Sequence, residues 1–177
     1  LLGSGNTGEI NFQCRKGRTS CGGFVSMTET TEIVEINLPT TPEKIEELEG
    51  VLLKGEQIDC PLNHFFGPGI YIREGFIPKG TLIIGHRHKN PCTNVLVKGK
   101  MRVIGPDGIP STIEAPLMFV TGPGRKIGFT LEDCVFQNIH ATDETDLEKL
   151  EEQLIDKSAV WLAHHEQEAM RLIEGDD

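Results

Sequence analysis

Short apolar segments alternate with turn sequences through the middle of the chain. Between residues 69 and 140, strand-like segments such as 70–77, 81–88 and 134–140 are separated by Gly- and Pro-containing turns at 106–108 and 122–124. Turns recur every eight to twelve residues or so, without helical periodicity between them, which is typical of antiparallel sandwiches and barrels. The pattern therefore predicts a mainly β fold.

The region before these strands combines one strand with one helix. Residues 32–38 alternate apolar and polar positions, as an edge strand does. Thr40 and Glu43 have the spacing of a capping box, and Pro42 suits a first helical turn. A short helix is therefore predicted up to about Leu53.

Two further helices are predicted at the C-terminal end. Asp143 is in position to cap the first of them, in which Leu147, Leu150 and Leu154 form an apolar stripe. Ser158 is in position to cap the second. Much of the negative charge lies on the polar faces of these helices, which is typical of a solvated surface.

Composition divides the chain into four parts. Residues 1–26 are rich in Gly, Ser and Thr and contain a basic cluster, whereas an acidic segment begins at Met27. We expect the folded part to begin near Met27. The predicted parts are an N-terminal leader or arm, 1–26; an edge strand, short helix and loop, 27–68; a barrel core, 69–141; and C-terminal helices, 142–177.

Charge and cysteine content narrow the function classes. Seventeen Lys and Arg residues stand against 27 Asp and Glu residues, giving a net charge of −10, so we expect no nucleic-acid partner. No apolar run approaches the ~18 residues of a membrane span, so we expect no membrane partner. The five cysteines form no CxxC pair, which favours reduced thiols in the cytoplasm.

The segment 80–99 contains the residues best suited to chemistry. His86 and His88 lie two residues apart on a predicted strand, so both rings leave the same face. Leu82 and Ile84 share that face, which indicates the inside of a barrel. Two imidazoles at the end of such a strand are how a β-barrel presents neighbouring ligands to a metal ion.

The spacing of this segment resembles the first motif of the cupin superfamily. That motif reads Gly, five residues, His-x-His, three or four residues, Glu, six residues, Gly. Here Gly80 is followed by the His-Arg-His of 86–88, then by Cys92 in place of Glu, then by Gly99. The family's second motif, with its Pro-x-Gly turn and a following histidine, is matched only by the turn at 121–128, which lacks the histidine.

The resemblance covers about residues 69–140 and implies a cupin-type antiparallel β-barrel, also called a double-stranded β-helix or jelly roll. The region from Tyr71 through the following helix also resembles small cupin-like proteins encoded by bacteriophages. Two functions follow from the resemblance. One is a cupin-like binding or assembly protein, such as a phage accessory or virion-associated protein. The other is a metal-dependent small-molecule enzyme of the dioxygenase, isomerase or lyase type.

Cupins bind iron, manganese, nickel or zinc through three histidines and a carboxylate, so the resemblance also implies a divalent transition metal. His86 and His88 match two of the ligands, and Cys92 as a thiolate would favour a softer ion such as zinc. His140, at the end of the last strand, is the fourth candidate ligand. The alternatives are a polar or packed barrel mouth around the two histidines and an inert buried thiol at Cys92.

Charged residues on the predicted strands are candidates for a pocket. Glu74 is the candidate acid–base group, but its neighbour Arg73 has the opposite parity, so only one of the two points inward. Arg102 is a further candidate, and a roomy pocket lined by such arginines would suit a metal-free sugar- or nucleotide-binding protein. An interior filled by side chains would instead favour the binding or assembly role.

The predicted edge strand at 32–38 also bears on oligomeric state. An unpaired edge is a hazard that a partner strand removes, so we expect a homodimer. The N-terminal arm and the C-terminal helices are candidate surfaces for a protein partner. A phage-encoded protein of this kind would act in the host cytoplasm or in the virion.

Overall fold

The structure is a computed structural model that describes residues 24–26, 39–105 and 107–175. The predicted edge strand at 32–38, and with it the proposed dimer contact, lies outside the described residues. Within the segment predicted as a leader or arm, residues 24–26 form a strand that pairs with residues 81–83. Among the described helices, none is long and apolar enough to cross a membrane.

Two five-stranded antiparallel sheets contain most of the β-strand residues that the structure describes. The first has the order β1-β4-β10-β7-β8 and the second the order β2-β3-β11-β6-β9, while β5 and β12 form a separate pair. The strands are β1 (Phe24–Ser26), β2 (Leu62–Gly67), β3 (Ile70–Ile77), β4 (Thr81–Ile84), β5 (Arg87–His88), β6 (Cys92–Lys98), β7 (Lys100–Ile104), β8 (Pro110–Glu114), β9 (Leu117–Thr121), β10 (Ile127–Thr130), β11 (Cys134–Ala141) and β12 (Ile155–Asp156).

The helices flank the sheets, and two of them begin at a side-chain cap. Asp146 accepts hydrogen bonds from two backbone N–H groups of the following turn, and Ser158 accepts one from Trp161. Asp143, which the sequence predicts as the first of these caps, instead accepts a bond from the backbone N–H of Gly69 at 3.0 Å. The helices are α1 (Pro42–Leu52), α2 (Leu147–Leu154) and α3 (Ala159–Glu174).

The two sheets pack face to face through an apolar cluster. Ile77, Leu96 and Cys134 of the second sheet pack with Met101 and Ile83 of the first. This arrangement confirms the predicted mainly β, antiparallel fold with a short helix on the N-terminal side and helices at the C-terminal end. It is consistent with a jelly roll, although the strands that the structure describes do not close into a barrel.

Helix α1 covers part of the first sheet. Ile45 and Leu52, on one face of the helix, pack against Leu82, Ile84 and Ile127. Helix α3 in turn packs on α1. Helix α3 is therefore connected through α1 to the first sheet, whose strand β4 leads into the predicted His-x-His segment.

Gly99 allows the tight turn between β6 and β7. Its φ is +90°, and an added Cβ would collide with the Asp133 carbonyl oxygen and lie 2.8 Å from Cys134 Sγ. We expect Gly99→Ala to lower the free energy of unfolding by about 3 kcal/mol, through backbone strain and overpacking. Urea denaturation measures this, with Gly67→Ala as control because no atom lies within 4 Å of its added Cβ. Equal stabilities of the two variants would contradict the prediction.

Candidate functional site

The strand register sets the polarity of the second sheet's inner face. Arg73 is paired with Asn138, which is paired with Asn94, so these three polar side chains share one row across the sheet. Two positions along the strand, the corresponding row is apolar and includes Phe136 and Leu96. The inner face therefore changes from polar to apolar along the direction of the strands.

A cavity of about 200 Å³ lies between the two sheets. A single water molecule needs roughly a tenth of that space, so the interior has room for an organic molecule. Leu147, Leu150 and Leu154 of α2 line part of the cavity. The polar and ionisable side chains on its wall include His64, Tyr71, Arg73, His86, His88, Thr121, Lys126, Asn138, His140 and Glu151.

Three metal-ligating side chains meet at the polar end of the cavity. The ligand atoms of His88, Cys92 and His140 all lie within 4.8 Å of one another, and all three residues are buried. Cys92 Sγ is 3.4 Å from His88 Nδ1, and the two imidazole rings stack with centroids 5.7 Å apart. A thiol and two imidazoles form a donor set that suits zinc. This buried group could bind a metal ion.

Backbone pairing holds His88 in place. Its N–H donates to the Gly124 carbonyl at 3.0 Å, and its carbonyl accepts from the Gly124 N–H at 2.9 Å. On its other side, His88 is paired with Ile155 in the short β5–β12 ladder. The turn at 122–124 resembles part of the second cupin motif. It therefore positions His88, which lies in the segment that resembles the first motif.

An amide and an ammonium group support the cysteine. Lys126 Nζ donates to Cys92 Sγ at 3.3 Å and to Asn94 Oδ1 at 3.0 Å. Asn94 Oδ1 also accepts from Asn138 at 2.8 Å, while Asn94 Nδ2 donates to Thr121 Oγ1 at 3.0 Å. Our sequence reasoning missed this network. Asn94 has the same strand parity as Cys92 and could have been found on that ground, whereas no sequence signal indicated Lys126.

Both imidazoles of the group are neutral at physiological pH. Burial, and then the nearby Lys126 ammonium, lowers the pKa of His88 to about 3. The same two causes lower the pKa of His140 to about 4. Burial also lowers the pKa of Lys126, although Cys92 opposes that shift. A neutral imidazole is the form that binds a metal ion, so the site requires no deprotonation of its histidines.

His86 lies in the same cavity but outside the group of three. Both His86 and His88 are buried and the intervening Arg87 is exposed, as expected. Leu82 and Ile84, expected on the same inner face, instead pack against α1, while Ile83 joins the cluster between the sheets. Because β4 ends at Ile84, the segment turns before β5, and the His86 ring meets the edge or face of Trp161 at a centroid distance of 5.2 Å. The structure therefore places Trp161 beside His86, the predicted ligand that lies outside the group of three.

Of the three predicted pocket residues, strand parity directs one side chain toward the cavity and two away from it. Arg73 lines the cavity. Glu74 lies on the other face of β3, where its carboxylate accepts from Asn63 at 3.2 Å and from Gln137 at 2.7 Å. Arg102 is not among the described residues that line the cavity. Glu74 is thus held away from the cavity that an acid–base group would have to reach.

No protein-family model and no curated protein matches the sequence. Several solved structures are similar to this chain at low identity. A cupin domain from Bordetella pertussis Tohama I is 16% identical, with 50% of this chain and 98% of that chain covered and a TM-score of 0.39. An RmlC-like cupin family protein with a double-stranded β-helix fold, from Methanocaldococcus jannaschii, is 14% identical over 52% of this chain and 85% of that one, with a TM-score of 0.42. A cupin-2 domain-containing protein from Shewanella frigidimarina is 10% identical over 49% and 83% of the two chains, with a TM-score of 0.38.

Proposed function

We propose that this protein binds a soft divalent ion, zinc above all, through His88, Cys92 and His140, and that the adjoining cavity receives a small organic molecule. The supporting observation is the buried group of three ligand atoms within 4.8 Å. Cysteine and histidine are the usual zinc ligands, and three protein ligands leave a fourth coordination position open. Zinc bound there would supply Lewis-acid chemistry to a molecule in the cavity.

The protein's own residues prepare this site. His88 and His140 are kept neutral by burial and by the Lys126 ammonium. Lys126 also donates to Cys92 Sγ and so holds the sulfur beside the two imidazoles. Asn94 Oδ1 accepts from Lys126 and so fixes the direction of its ammonium group. Together these contacts pre-organise the ligand set.

The cavity favours small-molecule binding over a purely assembling role. An interior filled by side chains would have supported the latter, whereas here about 200 Å³ of space adjoins the ligand group. The cysteine in place of a carboxylate supports zinc chemistry of the isomerase or lyase type more than an iron dioxygenase. A phage-associated role stays a prediction from the sequence resemblance.

Removing one ligand is expected to abolish tight zinc binding. Cys92→Ser and His140→Gln should each weaken the affinity for zinc by about 100-fold or more, since even residues that only orient ligands are worth 10–100-fold. Competition against a fluorescent zinc chelator measures the affinity, and metal analysis of protein purified without a His tag gives the stoichiometry. Cys60→Ser and His164→Gln are matched controls because both residues lie outside the group of three.

The same experiment can overturn the proposal. Two results together would contradict the proposed metal site. They are substoichiometric zinc in the wild-type protein and a melting temperature that neither zinc nor chelators change. Equal losses of affinity in the ligand variants and in their controls would show that zinc binds elsewhere.

A further inference from the structure

The ionisable side chains on the cavity wall give it a net positive charge. Arg73 and Lys126 line the cavity, and among the described residues Glu151 is the one acidic side chain that does so. The Glu151 carboxylate also contacts Lys157 Nζ at 2.7 Å. A cation-rich wall in an otherwise apolar space favours an anionic ligand.

The positive groups are confined to one end of the cavity. Arg73 lies in the polar row with Asn138 and Asn94, and Lys126 contacts Asn94 directly. The other end is formed by apolar side chains from both sheets. These are Leu62, Ile77, Ile83, Met101, Val103 and Phe136. A ligand that matches this wall has a negatively charged head and an apolar body.

We infer that the cavity binds a small monocarboxylate whose carboxylate lies between Arg73 and Lys126 and whose apolar body extends toward Ile77 and Met101. A guanidinium presents two parallel N–H groups that match the two oxygens of a carboxylate, and Lys126 adds a point charge. This inference rests on the proposed function, since the same cavity adjoins His88, Cys92 and His140. It adds the chemical class of the molecule that the site receives.

Binding of three six-carbon probes tests this inference. Hexanoate, hexanol and hexylamine share one apolar body and differ in the charge of the head group. By isothermal titration calorimetry at pH 7.5, we expect hexanoate to bind at least about tenfold more tightly than hexanol, since hydrogen bonds to charged groups are the stronger ones. Hexylamine should bind more weakly than both. Equal affinities for hexanoate and hexanol, or no binding of hexanoate, would overturn the inference.

Substitutions at Arg73 separate its charge from its packing. Arg73→Met should remove most of the preference for hexanoate over hexanol, whereas Arg73→Lys should keep part of it. Arg102→Met is the control, because Arg102 does not line the cavity. A preference unchanged in Arg73→Met would overturn the assignment of the carboxylate position. Retained hexanol binding in that variant would show that the cavity itself is intact.

Titrations with and without zinc distinguish this inference from the proposed metal site. The three probes are measured once in chelator and once after zinc has been added. Hexanoate selectivity in chelator supports the carboxylate site even if zinc does not bind. Suppose instead that zinc binds at His88, Cys92 and His140 but hexanoate shows no selectivity in either state. That result would support the metal site and overturn the carboxylate site.

Discussion

Replacing Glu49 with alanine is expected to lower the free energy of unfolding by about 3–5 kcal/mol. Glu49 is fully buried on α1, and its carboxylate has two partners. Arg125 Nη2 donates to one oxygen at 2.5 Å, and Ser158 Oγ donates to the other at 2.6 Å. Removing the carboxylate leaves the Arg125 guanidinium, whose side chain is 12% exposed, without its counter-charge. An uncompensated buried charge costs far more than a lost surface ion pair.

Glu49→Ala is also expected to affect the cavity, because the hydrogen-bond network of Glu49 reaches the edge of the cavity. Arg125 Nε donates to the Gly85 carbonyl at 3.1 Å, next to His86 in the chain. Arg125 also precedes Lys126, and Ser158 is the N-cap of α3. Glu49 therefore joins α1, the segment before β10 and the start of α3. We expect Glu49→Ala to weaken zinc binding as well, because Lys126 loses part of its anchoring.

Urea denaturation at pH 7.5 tests the stability effect. Glu47→Ala on the same helix is the control, since Glu47 is exposed, and its effect should stay within about 0.5 kcal/mol. The double variant with Arg125→Ala should lose less than the sum of the two single variants, since neither charge is then left alone. A Glu49→Ala protein as stable as the Glu47→Ala protein would refute the structural role of the ion pair.

Much of the fold can be predicted from local patterns. Gly- and Pro-containing turns separate most of the strands, and Ser158 caps α3 as its position predicts. Capping is less certain where several Asp residues lie close together, since Asp146 rather than Asp143 caps α2. Local sequence does not specify which strands are neighbours, because strand order depends on long-range packing.

The geometry of the candidate site depends in part on strand order, which local sequence does not specify. Alternation along the predicted strand 81–88 places His86 and His88 on one face, and both are buried. The approach of His140 to Cys92 depends on β11 lying between β3 and β6, which no local pattern specifies. The separation of His86 from the group depends on the end of β4 and on contact with Trp161.

Buried charges were the main feature that sequence reasoning missed. We expected the acidic residues of the two C-terminal helices to be solvated and made no prediction for Glu49 on α1, which is enclosed. Its spacing from Ile45 and Leu52, four residues before and three after, places it on the apolar face of α1. That spacing was a usable signal, whereas the position of its partner Arg125 was not predictable because it comes from a turn in another part of the chain.

The metal-free protein is expected to lose stability as the pH falls from 7.5 to 5. The folded-state pKa values of about 3 for His88 and about 4 for His140 lie below the value near 6.5 of the unfolded chain. Between these values the unfolded state binds more protons than the folded state. The stabilisation is therefore present above about pH 6.5 and is lost as the pH falls toward the folded-state values. At pH 5 each histidine lowers the free energy of unfolding by about 2 kcal/mol.

Urea denaturation in the presence of a chelator, at several pH values from 7.5 to 5, measures this loss. Burial also lowers the pKa of His64, so the wild-type slope includes contributions from outside the group of three. His140→Gln isolates the contribution of His140, because glutamine does not titrate. This variant should lose about 2 kcal/mol less than the wild type between pH 7.5 and 5. An equal slope in the wild type and in His140→Gln would mean that His140 is as easily protonated in the folded protein as in the unfolded chain, and that it is not buried in the neutral, metal-binding form.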